Sequence, residues 1–477
     1  MIGRKEEVEA LRETAAADRS RFIVVYGRRR VGKTFLIREA FDYRFTFSHT
    51  GMEASSMADQ LESFHASLID QGMSPCEVPK NWIQAFSLLK RFLKASTDER
   101  KVVFIDELPW MDTPRAKFVS ALENFWNGWC SARKDIVLIV CGSATSWMIK
   151  KVLKNKGGLF NRANRVIYLK PFTLGECEAY ARELGLPMGR RELAEGYMVF
   201  GGAPYYWSLL DRSLSLAQNI DRLCFTQGGE LTVEFKRLYA SVFKKAEKHV
   251  KIVEVLGSRK SGMSREEIVS AVGLKDSGKL SRILEELEES GFIRIYSPLG
   301  RVKRGSIYQL VDAFTLFHLA FMRGKPISRP GYWLDGVGSD ERLAWEGVAF
   351  ERVCMWHERE IKVALGIAGV STDVCAWRSA RRDGGAQIDL LIDRKDGVIN
   401  VCEMKFVTGE FSIGAKYAGE LENKLSVLKE ETQTDKSLHL TMITVSGVKR
   451  NEYSYLVHSQ VRLNDLFQLN GGAAVSG

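Results

Sequence analysis

The chain has 477 residues, 45% of them apolar and 27% charged, a length that exceeds one ordinary core and predicts two to four domains of a globular protein. Lys and Arg outnumber Asp and Glu by 69 to 59, a net charge of +10, which favours a polyanionic partner such as nucleic acid. No run of about 18 apolar residues occurs, so neither a transmembrane helix nor a membrane partner is expected. The amino terminus is charged from Arg4 to Glu7 and reads as no signal peptide. The eight cysteines are scattered without a C-x-x-C pair, which predicts reduced thiols in a cytoplasmic protein. Cys354 and His357 have ligand-like spacing but no second pair, and no zinc site is expected there.

In chain order, the first strong signal is Phe22-Ile23-Val24-Val25-Tyr26, which reads as a buried strand. It runs into Gly27-Arg28-Arg29-Arg30-Val31-Gly32-Lys33-Thr34, and the helical spacing beginning at Phe35 follows. Strand, G-x-x-x-x-G-K-T and helix, in that order, predict a phosphate-binding P-loop for ATP. Its glycines let backbone N–H groups curl around phosphate oxygens, and the helix N-terminus adds partial positive charge. Lys33 would reach the terminal phosphates, and the Thr34 hydroxyl would ligate Mg²⁺. Residues 27 to 35 are therefore the central candidates for binding the nucleotide.

Val102-Val103-Phe104-Ile105-Asp106-Glu107 reads as a doubly buried parallel strand that ends in two carboxylates. Such strands deliver acids at their C-terminal edge. Asp106 would hold Mg²⁺ through water, and Glu107 would orient or deprotonate the attacking water. Ile136 to Cys141 form another buried strand, tipped by Gly142-Ser143. Arg162 precedes a strand from Val166 to Leu169 and could reach a neighbouring subunit's γ-phosphate, with Arg165 as the second choice. This makes a homo-oligomer a further expected partner.

These motifs resemble those of the archaeal-type P-loop ATPases, close to the signal-transduction and AAA+ ATPases. The resemblance implies that Ile2, Gly3 and Arg4, in an apolar-Gly-Arg-x-x-Glu box, line the adenine side. It also implies that Ser143 is the γ-phosphate sensor. Gly202-Ala203-Pro204 resembles the Gly-x-Pro element by which the lid of these ATPases touches nucleotide, giving Gly202 and Pro204 as candidates.

Residues 244–312 show three helical segments and a hairpin, the order of a winged helix. The capping signature at Ser264 to Glu267 opens the second segment, and Leu280, Ile283, Leu284 and Leu287 line the third. If it reads DNA, Lys275, Lys279 and Arg282 would lie on the recognition helix. Arg301, Lys303 and Arg304 would touch phosphates from the wing. Glu285, Glu286, Glu288 and Glu289 on the same helix would repel phosphate.

After a linker at 325–331, a helix carries Glu346 and Glu351. Gln387 to Asp393 and Val398 to Lys405 follow as two strands around a turn. Glu403 and Lys405 share a face because the side-chain period is two, and Asp389 can meet them from the adjoining strand. Two acids and a lysine on one sheet face suit Mg²⁺-dependent phosphodiester cleavage. The constellation resembles the restriction-endonuclease-like PD-(D/E)xK fold. That resemblance implies Asp389 and Glu403 as metal ligands and Lys405 as the residue that positions or activates water. It adds a first-helix glutamate, matched by Glu346 and less closely by Glu351. Ile388 stands where the motif proline would.

The expected fold class is α/β. A P-loop NTPase core of AAA+-like parallel sheet (1–170) precedes a helical lid (171–240), a winged helix (241–325) and a nuclease-like α/β domain (326–477). Two functional readings stay open: an ATP-regulated, Mg²⁺-dependent DNA-processing enzyme, or a regulatory ATPase switch whose carboxy-terminal modules only bind partners.

Overall fold

The computed structural model describes residues 1–468 apart from 155–157, 160, 244, 274, 298, 300–304, 326–330, 380 and 382–383. The chain divides into two compact units, Met1–Pro171 with Leu238–Lys244, and Phe172–Arg237 with Lys245–Gly477.

The first unit is built on strands β1 (Arg21–Tyr26), β2 (Phe47–Thr50), β3 (Lys101–Asp106), β4 (Ile136–Gly142) and β5 (Arg165–Tyr168). They form one parallel sheet in the order β2-β3-β4-β1-β5. Its helices include α1 (Lys5–Ala16), α2 (Lys33–Ala40), α3 (Met57–Asp70), α4 (Trp82–Ala95) and α5 (Phe118–Gly128). Successive strand residues face opposite sides, and β1 shows what that does here. Phe22 and Val24 join a core with Phe64, Trp82, Phe86 and Phe125 from α3, α4 and α5. Ile23 and Val25 join another with Leu11, Leu36 and Ile37 from α1 and α2. A strand covered on both faces has to be apolar throughout, which is why it reads as a continuous run. The order places β4 between β1 and β3, so the loops leaving these strands meet at one edge of the sheet.

In the second unit, α6 (Leu174–Glu183) and α7 (Arg190–Phe200) come first. A module of α8 (Glu247–Gly257), β6 (Met263–Ser264), α9 (Arg265–Val272), α10 (Gly278–Glu289), β7 (Ile293–Tyr296) and β8 (Ile307–Leu310) follows. Its strands pair antiparallel in the order β6-β8-β7. Arg301, Lys303 and Arg304 lie outside the described residues, as does 326–330 of the expected linker. Then come α11 (Asp340–Trp356), β9 (Thr372–Arg378), β10 (Gln387–Arg394), β11 (Val398–Lys405), α12 (Ala415–Thr432), β12 (Ser437–Thr444) and β13 (Ser459–Arg462). The last five strands form a mixed sheet, β13-β12-β11-β10-β9. It is antiparallel from β9 to β11 and parallel from β11 to β13.

The expected boundaries at 171–240 and 326–477 do not separate two cores. Leu174, Leu193 and Met198 of α6 and α7 pack with Phe350 and Val353 of α11 and with Leu390, Cys402 and Met404 of the mixed sheet. The other face of that sheet, through Leu391 and Val401, meets Val427 and Leu428 of α12. His357, fully buried, fastens the first arrangement. Its Nδ1 donates to Val353 O at 2.7 Å, and its Nε2 accepts the Leu174 amide at 2.8 Å. The 245–312 module is tied to the same unit by arginines. Arg352 Nε donates to Leu310 O at 3.2 Å, Arg294 Nη1 to Met355 O at 2.9 Å and Arg378 Nη2 to Ser261 Oγ at 2.9 Å. Among the described residues no helix is long and apolar enough to cross a membrane.

Candidate functional site

The loop from Gly27 to Gly32 leaves the C-terminal end of β1 and enters α2. Gly27 is fixed by sterics, because a Cβ there would stand 2.4 Å from Leu169 O. Arg30 takes a left-handed φ of 73°, a conformation that costs a non-glycine residue about 1–2 kcal/mol and so has to be held by its surroundings. Lys33, buried at the start of α2, turns its ammonium back into the loop. It donates to Arg28 O and to Ser143 Oγ, both at 2.9 Å. Thr34 Oγ1 donates to Asp106 Oδ2 at 2.6 Å, joining the loop to the end of β3.

Glu107 stands one residue past β3 with φ 45° and ψ 46°, again left-handed. Bonds to both neighbouring strand ends hold it. Its amide donates to Asp106 Oδ1 at 2.8 Å, while its carboxylate accepts from the Ser143 hydroxyl at 2.6 Å and from the Ser143 amide at 3.1 Å. Ser143, one residue past β4, thus stands between Lys33 and Glu107, as its strand stands between β1 and β3. Sequence reading found Lys33, Thr34, Asp106, Glu107 and Ser143 separately, and the fold gathers all five. The Thr34 and Asp106 oxygens are hard donors of the kind Mg²⁺ takes alongside phosphate oxygens, so this edge fits the ion. Neighbouring Cys141 is inert, since burial and the Asp106 charge push its thiol well above the ordinary range.

The flanking candidates are placed differently. Arg4 is buried and donates from Nη2 to Lys170 O at 2.6 Å, stapling the amino-terminal segment to the chain after β5. Ile2 is half-buried, and Gly3 is exposed. Arg28, Arg29 and Arg30 are half-buried, Val31 is buried, and Phe35 projects to solvent at 54% exposure. Arg162 is exposed just ahead of the edge strand β5. Gly202 and Pro204 belong to the second unit. Gly202 lets two backbones touch, because a Cβ there would lie 1.9 Å from Phe172 O. Pro204 opens the short helix Pro204–Ser208.

The carboxy-terminal constellation needs correction. Glu346 is not with Asp389 and Glu403. It accepts from Arg342 Nε at 2.9 Å, one turn earlier on α11, and Arg342 in turn stacks 4.2 Å from the Trp333 ring. Glu351, five residues on and so about 140° around the helix, is the residue near the sheet acids. Burial first, then the charges of Asp389 and Glu403, push its carboxyl up to about 7 against the pull of Arg352 and Lys405. Asp389 accepts from Gln387 Nε2 at 2.7 Å. Buried Glu403 accepts from Tyr417 OH at 2.9 Å and pairs with the Lys424 ammonium. Lys405 sits 4.6 Å over the Tyr417 ring. Among the described residues no group of three His, Cys, Asp or Glu side chains is gathered to hold a metal. Tyr417 and Lys424 were missed in the sequence. They lie two turns apart on α12, and nothing in their local pattern distinguishes them from other polar helix positions.

Among known proteins, a family model described as an ATPase domain predominantly from Archaea matches residues 1–210. An uncharacterized protein of Methanocaldococcus jannaschii is 27% identical over 334 residues, covering 67% of this chain and 68% of that protein. Among solved structures, a Walker-type ATPase of Pyrococcus abyssi aligns over 67% of this chain and 96% of its own, at 16% identity and TM-score 0.49. The ORC2 protein of Aeropyrum pernix, in ADPNP–ADP complexes, aligns over 66% of this chain and 92% of its own, at 14% identity and TM-score 0.41. The family match and the gathered P-loop, Asp106 and Glu107 agree: the protein is a P-loop ATPase.

Proposed function

We propose that the five-residue network at the edge of the parallel sheet binds and hydrolyses ATP, and that the nucleotide state acts as a switch on a DNA-binding second unit. The supporting observation is the continuous chain of bonds from Arg28 O through Lys33 and Ser143 to Glu107. In this reading the loop amides from Arg28 to Thr34 cradle the phosphates. Lys33 exchanges its bond to Ser143 for a γ-phosphate oxygen. That exchange releases Ser143 and with it Glu107, whose carboxylate then accepts a proton from the attacking water. The water oxygen bonds to the γ-phosphorus, the bond to the β–γ bridging oxygen breaks, and ADP and phosphate leave. Thr34 and Asp106 would hold Mg²⁺, which supplies charge neutralisation of the phosphates when bound. Exposed Arg162 serves a neighbouring subunit. Ile2, Gly3 and Phe35 serve the base, with Arg4 holding their segment in place. Filter binding of labelled ATP tests the role of Glu107. Glu107→Gln is expected to retain uncleaved ATP while turnover falls by about 10²–10⁴-fold. Turnover at the wild-type rate would remove the assignment.

The switch is preferred to a nuclease because Glu403 is already paired with the Lys424 ammonium and hydrogen-bonded by Tyr417. DNA cleavage remains the second reading on one observation. Asp389 and Glu403 stand one position beyond the paired Leu390 and Cys402 of the hairpin, with Glu351 and Lys405 at hand. Plasmid incubated with Mg²⁺ or Mn²⁺, with and without ATP, decides between them. Nicking that disappears in Glu403→Ala would establish the second reading, and intact plasmid supports the switch.

A further inference from the structure

The 245–312 module carries a concentration of positive charge drawn from two helices rather than one. Lys245, two residues before α8, and Lys248, just inside it, are exposed. Lys275, Lys279 and Arg282, before and within the first half of α10, are exposed as well. The two helices are joined further along by His249 Nε2 and Glu286 Oε2, 3.0 Å apart. Residues 279, 282 and 286 follow at helical spacings of three and four, so the cations of α10 lie in the row that faces α8. The joining bond therefore brings the lysines of α8 alongside Lys279 and Arg282. The Lys279 ammonium is held below its usual range by Lys248 first, and by Lys245 and Arg282 as well. The charged groups that lower it are all cations, and exposed Glu247 stands between Lys245 and Lys248. The acids nearby are accounted for in part: Glu286 is bonded to His249, and Asp276 to Arg265 at 2.6 Å. Glu285, Glu288 and Glu289 stand in the second half of α10, beyond the cations.

Exposed like charges crowded together repel one another, and a polyanion laid across them relieves that repulsion. Packed helices lie 8–10 Å apart, so two such rows reach several charges of a duplex that carries one per ~1.7 Å of its axis. Lysines offer point charges to phosphate rather than the planar fork that reads guanine.

We propose that Lys245 and Lys248, just before and just inside the start of α8, together with Lys275, Lys279 and Arg282, form a two-helix surface that grips the phosphate backbone of duplex DNA without reading its sequence. This rests on the reading above that DNA is the partner of the second unit, and it adds a helix that the sequence did not point to. Each lysine contacting phosphate contributes about 0.9 to the slope of log affinity against log salt.

The test is fluorescence anisotropy of the full chain on two unrelated 20-base-pair duplexes, titrated from 50 to 200 mM salt. Lys245→Gln/Lys248→Gln is expected to weaken binding to both duplexes equally and to make the slope shallower by about 1.8. Lys94→Gln, an exposed lysine on α4, is expected to leave the slope unchanged. Retained ATP hydrolysis and an unchanged far-UV spectrum show that both variants are folded. A slope unaltered in the double variant while the wild type still binds duplex overturns the surface and leaves DNA as the partner. A wild type that binds no duplex, or prefers RNA or an acidic protein at the same salt, overturns both.

Discussion

At the scale of single residues, Ser143 links Lys33 to Glu107 in the proposed ATPase site. It accepts from Lys33 and donates to Glu107, so Ser143→Ala removes both bonds at once. Phosphate release by this variant is expected to fall about 100-fold in kcat with a smaller change in KM, because the hydroxyl that Lys33 releases is then missing as the contact that aligns the γ-phosphate with the water. Equal kcat values would separate Ser143 from the chemistry. In the second unit, Lys424→Met would leave the buried Glu403 carboxylate with Tyr417 alone. A urea unfolding curve is expected to show a loss of about 1–3 kcal/mol, and an unchanged midpoint would mean that the pair is idle. Much of the first site was legible at this scale, because a P-loop and a strand ending in two acids are local patterns. Glu346 misled for a physical reason. Glutamates five apart on a helix point to different neighbours, and a sequence shows the spacing without showing which face meets the sheet. The bond from Glu107 to Ser143 joins residues 36 apart, and only the strand order reveals it.

At the scale of elements, the doubly buried strands β1, β3 and β4 announced themselves as unbroken apolar runs. β2 did not: it reads Phe-Ser-His-Thr, too short and too polar to signal a strand. Its His49 is buried and bonds Ser67 at 2.9 Å. The sequence points to helices over 171–240 but not to what covers them, since an amphipathic face looks alike whether it packs on its own small domain or on a distant sheet. Two outcomes follow from how these elements are fastened. Gly202→Ala would drive a methyl into the Phe172 carbonyl, and is expected to cost at least about 3 kcal/mol or to yield insoluble protein. A soluble variant of wild-type stability would contradict the close approach. Burial lowers the His49 and His357 pKa values from 6.5 to about 4. The unfolded chain therefore takes up protons at a pH where the folded chain does not. The stability contributed by these two imidazoles is full above pH 6.5, falls as the pH drops towards 4, and is lost below that. Each histidine contributes about 3 kcal/mol across the window. Denaturation midpoints that hold constant from pH 6.5 to 4.5 would show that neither imidazole is locked neutral.

At the scale of the whole molecule, the chain joins a nucleotide-hydrolysing unit to a second unit in which α6, α7 and the mixed sheet share one core. Ligand binding to the first is measurable as stability. ATP with Mg²⁺ at 100 times its Kd is expected to stabilise the nucleotide-binding unit by about 2.7 kcal/mol. The same addition to Lys33→Ala is expected to do nothing. Phosphate release from ATP by wild type and Lys33→Ala, measured side by side with Mg²⁺ present, bears most directly on the network that joins Lys33, Ser143 and Glu107. Steady turnover by the wild type and none above background by the variant is the expected result; turnover by Lys33→Ala at the wild-type rate would contradict it.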